Sequence, residues 1–270
     1  MKTKISFVAG ILMLSACSST NPFTGKSSLN FVSNDQLFPS AFQQYDQFLK
    51  ENKVIKGTAE AKMVENVGMK IKAAAEKYLN SVGQGQYLKD YRWEYNLVQD
   101  KAVNAWCMPG GKIVVYTGIL PITQSEAGLA TVMGHEVAHA LANHGAQRMS
   151  AAQIQQLGAV GVALATNSQS QEKQQMWQQY YGIGSNVGVM LPFSRSQESE
   201  ADQIGLTLMA IAGYNPDNAL AFWQRMSASS GGGSTPELLS THPSDATRIN
   251  NIKNLIPAAK AEAAKLGVKY

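Results

Sequence analysis

The sequence predicts an α+β fold that is predominantly helical, with a small β-sheet beside one central helix. Three observations support this prediction: apolar residues recur at helical spacing in several long segments, two β-rich runs flank a Pro-Gly-Gly turn, and 44% of the 270 residues are hydrophobic. That proportion is enough to bury one sizeable core. We therefore predict a single folded domain over residues 35–270.

The first residues are typical of a secretory signal. Two lysines precede an apolar run from Ile5 to Leu14, which is too short to span a membrane, and no later run reaches the roughly 18 residues that a spanning helix needs. The run ends in Leu-Ser-Ala before Cys17, a pattern that resembles the lipobox of bacterial lipoproteins. We therefore predict a lipoprotein signal peptide over residues 1–16.

Acylation of Cys17 would attach the chain to a membrane, because several acyl chains together give stable anchoring. Residues 17–34 are rich in Ser, Asn and Thr and are predicted to form the lipidated tether. Ser18 follows the cysteine, and resemblance to such lipoproteins then favours the outer membrane, with the domain on the periplasmic side. The alternative is a soluble secreted protein that is cleaved after Ala16.

Charge and cysteine content exclude two further classes. Removal of the signal leaves 21 basic against 19 acidic side chains, a net charge of about +2, so the basic pI is no evidence for a nucleic-acid partner. If Cys17 is acylated, Cys107 has no partner for an intramolecular disulfide. We expect Cys107 to be an inert, small apolar side chain.

Helices are predicted on both sides of a short sheet. Apolar spacing predicts packing helices over residues 35–50, 58–79 and 148–166. Alternation and β-forming residues predict strands over residues 93–98, 104–108 and 112–116. Residues 167–188 are rich in Gln and then Gly, without clean periodicity, which favours either a helix with a mobile end or a loop across a cleft.

A metal-binding signature lies in the helix predicted for residues 126–141. Thr123 and the acidic residue three positions later have the spacing of a capping box. Residues four apart share a helix face, so His135 and His139 can bind one Zn²⁺, with Glu136 beside the metal as a proton acceptor. The alternative is a buried helix that happens to hold two of the chain's four histidines. Zinc still needs a third protein ligand.

Three carboxylates on a later helix compete for the third position. Glu198 and Asp202 lie four residues apart and share a face, whereas Glu200 projects roughly opposite. We predict that Glu198 binds zinc and that Asp202 accepts a hydrogen bond from a ligating histidine. Glu200 is expected to be a solvated charge at a helix N-terminus, and His144 a polar residue at the C-terminus of the metal helix, turned away from the ligand face.

The two motifs, H-E-x-x-H and then E-x-x-x-D about sixty residues later, resemble gluzincin metallopeptidases of the HtpX and CAAX prenyl protease type. The similarity covers roughly residues 35 to 255 and includes the motifs Asn104-Ala105-Trp106, Pro109-Gly110-Gly111, Gly213-Tyr214-Asn215-Pro216 and His242-Pro243 with Arg248-Ile249. With its lipobox and without spanning segments, the chain is similar to the periplasmic lipoprotein branch, of the LoiP and BepA type.

This resemblance implies a zincin-type metallopeptidase with one Zn²⁺ per chain. The implied ligands are His135, His139 and Glu198, with Glu136 as the general base and Asp202 in support. In the family an edge strand binds the substrate backbone by β-augmentation. Here the strand from Lys112 to Tyr116, which includes Val114, or the segment that begins at Asn104 and Ala105 would supply that edge.

His242 and Arg248 allow three interpretations. They could form a structural turn, or one of them could stabilise the tetrahedral oxyanion as part of the catalytic site. The related lipoproteins suggest that His242 could instead fill the open position of zinc and hold the enzyme latent.

The resemblance also implies a biological role. The expected substrates are unfolded or misfolded envelope proteins, and the expected partners are the membrane, through the lipid anchor, and the outer-membrane assembly machinery. The alternatives are a chaperone-like assembly factor with a latent or minor protease activity, and an exopeptidase.

Overall fold

The computed structural model describes residues 18–229, 236–243 and 246–269, so the predicted signal peptide (1–16) and Cys17 lie outside the described residues. The helices are α1 (Asn34–Glu51), α2 (Ala59–Ser81), α3 (Leu120–Thr123), α4 (Glu126–Leu141), α5 (His144–Thr166), α6 (Gln171–Ser185), α7 (Leu191–Ile211), α8 (Asn218–Ala228), α9 (Glu237–Thr241) and α10 (Ala246–Lys265). The strands are β1 (Ser18–Thr20), β2 (Ser27–Leu29), β3 (Val54–Ile55), β4 (Glu94–Val98), β5 (Ala105–Met108) and β6 (Lys112–Tyr116). The prediction of a mostly helical α+β fold is confirmed.

The main sheet has the strand order β3-β4-β6-β5, in which β4 and β6 are parallel and the other pairs antiparallel. The predicted hairpin joins β5 to β6, and its turn depends on Gly110 and Gly111, whose φ values of 82° and 86° disfavour any residue with a Cβ. Because β6 is paired on both sides, the prediction that Lys112 and Val114 lie on an edge strand is wrong. The alternative segment, Asn104 and Ala105, leads into β5, which does lie at the edge.

Helix α4 forms the centre of the molecule. Every residue from Gly128 to Leu141 is buried, between α7, α2, α8 and β5. Its N-cap is Ser125, whose hydroxyl accepts a hydrogen bond from the Gly128 N–H at 3.1 Å. The predicted cap, Thr123, instead ends the short helix α3. An apolar, fully enclosed helix can hold polar side chains only if they bind one another or a ligand.

Helices α4 and α7 approach closely at a pair of glycines. A Cβ at Gly205 would lie 2.9 Å from the backbone nitrogen of His135, and one at Gly134 would lie 2.9 Å from the carbonyl oxygen of Gly205. Only glycine at both positions allows this distance between the helices. The contact brings the first half of α7, which holds the acidic motif, against the histidines of α4.

Strands β1 and β2 form an N-terminal hairpin within the segment predicted as a tether. Its turn packs against α7, and Asn21 is buried there.

Residues 171–185 form a regular helix, α6, which packs against α5 and continues through a π-helical turn, Asn186–Met190, into α7. The alternative of a loop lying across a cleft is therefore wrong. No helix among the described residues is long and apolar enough to cross a membrane.

Candidate metal centre

The two histidines of α4 point to the same place. His135 and His139 are both buried, and their Nε2 atoms lie 3.1 Å apart. This follows from their four-residue spacing, which puts both rings on the helix face that packs against α7. Because both present Nε2 rather than Nδ1, the Nδ1 atoms remain available to hydrogen-bond with other groups.

Glu198 of α7 lies opposite this pair. Its Oε2 is 3.3 Å from His135 Nε2 and its Oε1 is 3.3 Å from His139 Nε2. A single carboxylate therefore contacts both imidazoles, in the position predicted for the third ligand.

His242, just after α9, completes the group. Its Nδ1 lies 3.2 Å from His135 Nε2 and 2.9 Å from Glu198 Oε2. The four side chains can each offer one ligand atom within 4.8 Å of all the others. Donors about 2.1 Å from a tetrahedral ion lie about 3.4 Å apart, so three imidazoles and one carboxylate at these distances fit Zn²⁺.

Burial and hydrogen bonding put Glu198 and His139 in the charge states that bind a cation. Burial opposes the ionisation of Glu198, but hydrogen bonds with His135, His139 and His242 outweigh it and hold the pKa of the carboxyl well below its usual range. Burial lowers the pKa of His139 well below its ordinary value, against the raising effect of Glu198. His139 is therefore a neutral imidazole at neutral pH, the form that binds metal.

Asp202 and Arg248 hold His135 in place. His135 Nδ1 lies 3.0 Å from Asp202 Oδ1, and burial, which would lower the pKa of His135, is outweighed by its hydrogen bonds with Asp202 and Glu198, so that the pKa rises to about 9. Arg248 donates to both oxygens of Asp202 at 2.8 and 2.9 Å and lies 3.8 Å over the ring of Trp223. The buried carboxylate thus orients His135 and is itself oriented.

Arg248 also donates two hydrogen bonds of 3.1 Å to the backbone carbonyls of His242 and Pro243. A guanidinium that binds Asp202 and this turn at once supports the candidate ligands His135 and His242 from the side. The arrangement agrees with a positioning role for Arg248 rather than with the predicted oxyanion contact.

Glu136 is buried, and within the described residues its Oε1 has no hydrogen-bond partner. His242 Nε2 lies 3.5 Å from this oxygen. A buried, unsatisfied carboxylate oxygen beside convergent metal donors costs stability, and such costs are typical of catalytic sites.

Sequence reasoning missed two residues of the site. His144 is fully buried, and its Nδ1 lies 2.8 Å from His139 Nδ1, while its Nε2 lies 3.4 Å from Glu200 Oε2. The expectation that His144 lies at the C-terminus of α4, turned away from the ligand face, is wrong, because α4 ends at Leu141 and His144 begins α5. Asn143 instead takes the left-handed conformation, with φ of 55°, and α5 starts in a new direction that turns His144 back to His139. Asn is one of the few residues that tolerate this conformation, and this was the available signal.

Glu200 is also buried, not solvated as expected. Its Oε1 accepts hydrogen bonds from Asn21 at 2.9 Å and Thr24 at 2.7 Å, and its Oε2 lies 3.2 Å from Lys26 Nζ. The N-terminal hairpin therefore covers this side of α7 and connects through Glu200 and His144 to His139, a candidate metal ligand.

Cys107 is not a second reactive centre. Burial, with a smaller contribution from Glu136, raises the pKa of its thiol well above the ordinary value. This is the property of an inert apolar side chain, as expected.

Comparison with known protein families matches residues 69–256, more than half of the chain, to Peptidase family M48. The chain belongs to this peptidase family. The predictions of a gluzincin-type metallopeptidase and of zinc are therefore confirmed.

Curated relatives include two mitochondrial metalloendopeptidases named OMA1. The Schizosaccharomyces pombe protein is 37% identical over 65% of this chain and 50% of its own length, and the Saccharomyces cerevisiae protein is 36% identical over 73% of this chain and 56% of its own. A beta-barrel assembly-enhancing protease of Yersinia pestis is 28% identical over 60% of this chain and 34% of its own length. This chain spans about half the length of the two yeast relatives.

These relatives correct the predicted location. The prediction of an outer-membrane, periplasmic protein depended on a few residues around Cys17, whereas the two yeast relatives are named as mitochondrial. That prediction is wrong, because short apolar leaders are weakly specific for the membrane that they address. The assignment to the periplasmic lipoprotein branch is not confirmed, and acylation of Cys17 stays a prediction outside the described residues.

Proposed function

We propose that this M48 family member is a zinc-dependent endopeptidase that cleaves extended segments of unfolded polypeptides. One observation carries the proposal: the buried carboxylate of Glu136, with an unpartnered oxygen, lies beside four side chains that converge on one point. A purely structural zinc site has no use for such a base.

In this proposal His135, His139 and Glu198 hold the ion. When bound, Zn²⁺ supplies a Lewis acid that polarises the scissile carbonyl and makes water more acidic. Glu136 accepts a proton from the attacking water and passes it to the amine nitrogen as the C–N bond breaks, so that one water is consumed per bond. Asp202 holds a proton on Nδ1 of His135, which keeps the lone pair of Nε2 directed at the centre.

His242 occupies the fourth position of this site, where substrate and water would otherwise enter. Helix α9, which precedes His242, is tied to the start of the edge strand: Leu238 N–H donates to the Val103 carbonyl at 3.1 Å, and Asn104 Nδ2 donates to Glu237 at 3.0 Å. We therefore propose that the described arrangement is a latent state. Displacement of α9 would free both the fourth position and the start of β5.

The edge of β5 is the proposed substrate-binding element. β5 pairs with β6 on one side only and packs against α4, which places an unpaired strand backbone beside the metal helix. A peptide that adds to this edge as a strand must be extended, which favours unfolded chains over folded ones.

The test compares wild type with Glu136→Gln. The substitution keeps the shape of the side chain and removes the base, so cleavage of casein should fall at least about 100-fold while one zinc per chain is retained. Equal proteolysis by the two forms would refute the mechanism. Mapping of cleavage positions in a long peptide separates internal cuts, as proposed, from the removal of terminal residues by an exopeptidase.

The name of the Yersinia pestis relative supports a second candidate function, as a factor that assists the assembly of a β-barrel protein. This function would need client binding but no bond cleavage. It is favoured if Glu136→Gln loses proteolysis and still promotes assembly of the client, whereas loss of both activities favours the peptidase.

A further inference from the structure

Exposed apolar side chains are concentrated in one part of the molecule. In the part of the chain that the structure describes, sixteen large apolar side chains are exposed, and twelve of them lie between residues 149 and 191. Two more, Leu29 and Phe31, lie beside the start of α5, which leaves only Met69 and Val82 elsewhere. We call α5 and α6, with the π-helical turn that follows, the α5–α6 hairpin.

Hydrogen-bonded polar groups lie between the two helices of the hairpin. At the contact between its helices, Gln155 donates to Ser185 Oγ at 2.8 Å, Gln178 donates to the Ala159 carbonyl at 3.0 Å, and Tyr181 OH donates to the Gln155 carbonyl at 3.1 Å. Gly158 leaves room for the Tyr181 hydroxyl, which a Cβ there would meet at 1.9 Å.

The outward faces carry large apolar side chains among exposed, uncharged glutamines such as Gln156 and Gln175. Leu157 and Leu164 on α5 are each 72% exposed, Tyr180 on α6 is 61% exposed, and no residue of α6 is buried. A helical hairpin that folds in water buries its apolar face, whereas small residues and hydrogen-bonded polar groups between helices with apolar surroundings are typical of helices in lipid.

Charge is nearly absent from this surface. Between Arg148 and Arg195 the sequence contains only one acidic and one basic side chain, Glu172 and Lys173. A protein partner recognised by charge complementarity is therefore not indicated, and neither is attraction to anionic lipid. Trp177 and Tyr180 are exposed on α6, and both residue types favour the boundary between lipid and water.

The start of the described chain lies on the same side. Strand β2 contacts α5, and the N–H of Phe31 donates to Ser150 Oγ at 2.9 Å. Strand β1 pairs with β2, so the first described residues also lie close to the base of the hairpin.

We propose that the outward face of the α5–α6 hairpin binds the surface of a lipid bilayer. The helices lie in the interfacial region with Leu, Val and Ile side chains among the acyl chains, since neither helix is suited to span the membrane. Neutral phospholipid is sufficient, because the contact is apolar. This inference does not depend on the peptidase mechanism.

The test places an environment-sensitive NBD fluorophore on the hairpin of the full-length protein. Leu164→Cys is labelled in a background with Cys17→Ser and Cys107→Ala, which leaves no other thiol, and Met69→Cys, an exposed apolar position on α2, is the matched control. On addition of phosphatidylcholine vesicles, we expect a several-fold rise in emission at position 164 and none at position 69. The rise should persist in about 1 M salt, which screens charges beyond about 3 Å.

The control matters because the N-terminal run could itself attach the chain to vesicles. Attachment by that run alone would leave both labels in water and would overturn the proposal. A rise at position 164 that needs no vesicles and grows with protein concentration would indicate a second copy of the chain as the occupant and would overturn it as well.

A second variant tests the same surface without relying on one label. With the fluorophore at Ile183→Cys, replacement of Leu157, Val160 and Leu164 by Gln should abolish the vesicle-dependent rise, whereas Met69→Gln with Val82→Gln should leave it unchanged. All five positions are exposed, so circular dichroism should report the same helix content in every variant. An undiminished rise in the triple variant contradicts the proposal.

Discussion

The helix pair α4–α7 and the α5–α6 hairpin have similar contacts between their helices, but the first pair is buried in the protein and the second is exposed. Each pair places polar side chains and glycines between its helices: His135, Glu198, Gly134 and Gly205 in the first, Gln155, Gln178 and Gly158 in the second. Protein encloses the first pair, and its polar groups contact one another at the candidate metal centre. No described residue covers the outward apolar face of the second, and lipid is the medium in which that face would be stable.

Burial of polar groups alone therefore does not identify a reactive site. The hydrogen bonds of the hairpin are local and satisfied, whereas the groups in α4–α7 converge, include an unpartnered carboxylate oxygen at Glu136 and draw support from α10 and the N-terminal hairpin. Four substitutions test this difference, and the first should have the largest effect on folding free energy.

Arg248→Met should have the largest effect. It leaves the buried carboxylate of Asp202 without its bidentate partner, and breaking a buried pair of this kind costs about 3–5 kcal/mol of folding free energy. The matched control is Lys260→Met, which breaks an exposed pair with Asp217 worth about 0–1 kcal/mol. Urea unfolding of both variants checks the prediction, and similar losses would contradict it.

Gly205→Ala should separate α4 from α7. The added methyl group meets the backbone of His135 at 2.9 Å, and such overpacking costs about 1–3 kcal/mol and moves Glu198 away from the histidines. Gly161→Ala, on α5, is the control, because no atom lies within 4 Å of a Cβ there. Zinc affinity and melting temperature should fall only for the first variant. If both variants behave like wild type, the helices do not depend on this glycine contact.

His144→Ala should weaken zinc binding by about 10–100-fold, the usual effect of removing a group that orients a metal-binding histidine. His144 touches His139 at Nδ1 and leaves Nε2, the metal-facing atom, untouched. Competition with a chromogenic chelator gives the affinity directly. A zinc affinity equal to that of wild type would show that His144 only packs against His139 and does not orient it for the metal.

Acid should loosen the N-terminal hairpin through Glu200. Burial would raise the pKa of Glu200, but hydrogen bonds with His144, Thr24 and Lys26 outweigh it and lower the pKa from 4.5 to about 2. A carboxyl whose pKa is depressed by folding contributes stability above its unfolded pKa and loses it as the pH falls through the folded value. The melting-temperature difference between wild type and Glu200→Gln should thus shrink between pH 4.5 and about 2.

The exposed residue Glu65 supplies the control for this experiment. Glu65→Gln should not reproduce the pH dependence. If the difference between wild type and Glu200→Gln stays constant across this range, the carboxylate of Glu200 does not stabilise the fold.

Local patterns predicted much of the fold and half of the site. His135 and His139, like Glu198 and Asp202, lie four residues apart and share a helix face whatever the tertiary contacts, since this depends only on helix geometry. The β5–β6 hairpin was equally predictable, because two glycines follow Pro109 and glycine is favoured in the left-handed conformation that the turn adopts.

Contacts between distant segments were not predictable in this way. The partners of Glu200 come from Asn21, Thr24 and Lys26, more than 170 positions away, and a strand order that places β6 inside the sheet follows from a crossover that no local pattern encodes. The apolar periodicity of α5 was visible, but apolar spacing does not say whether the face meets protein or lipid.

X-ray absorption at the zinc edge tests the central claim most directly. We expect one zinc per chain, bound by three imidazoles and one carboxylate in wild type, and by two imidazoles in His242→Ala, with higher peptidase activity in that variant. A wild-type protein that binds no stoichiometric zinc, or that shows only two imidazoles before and after the substitution, would contradict it.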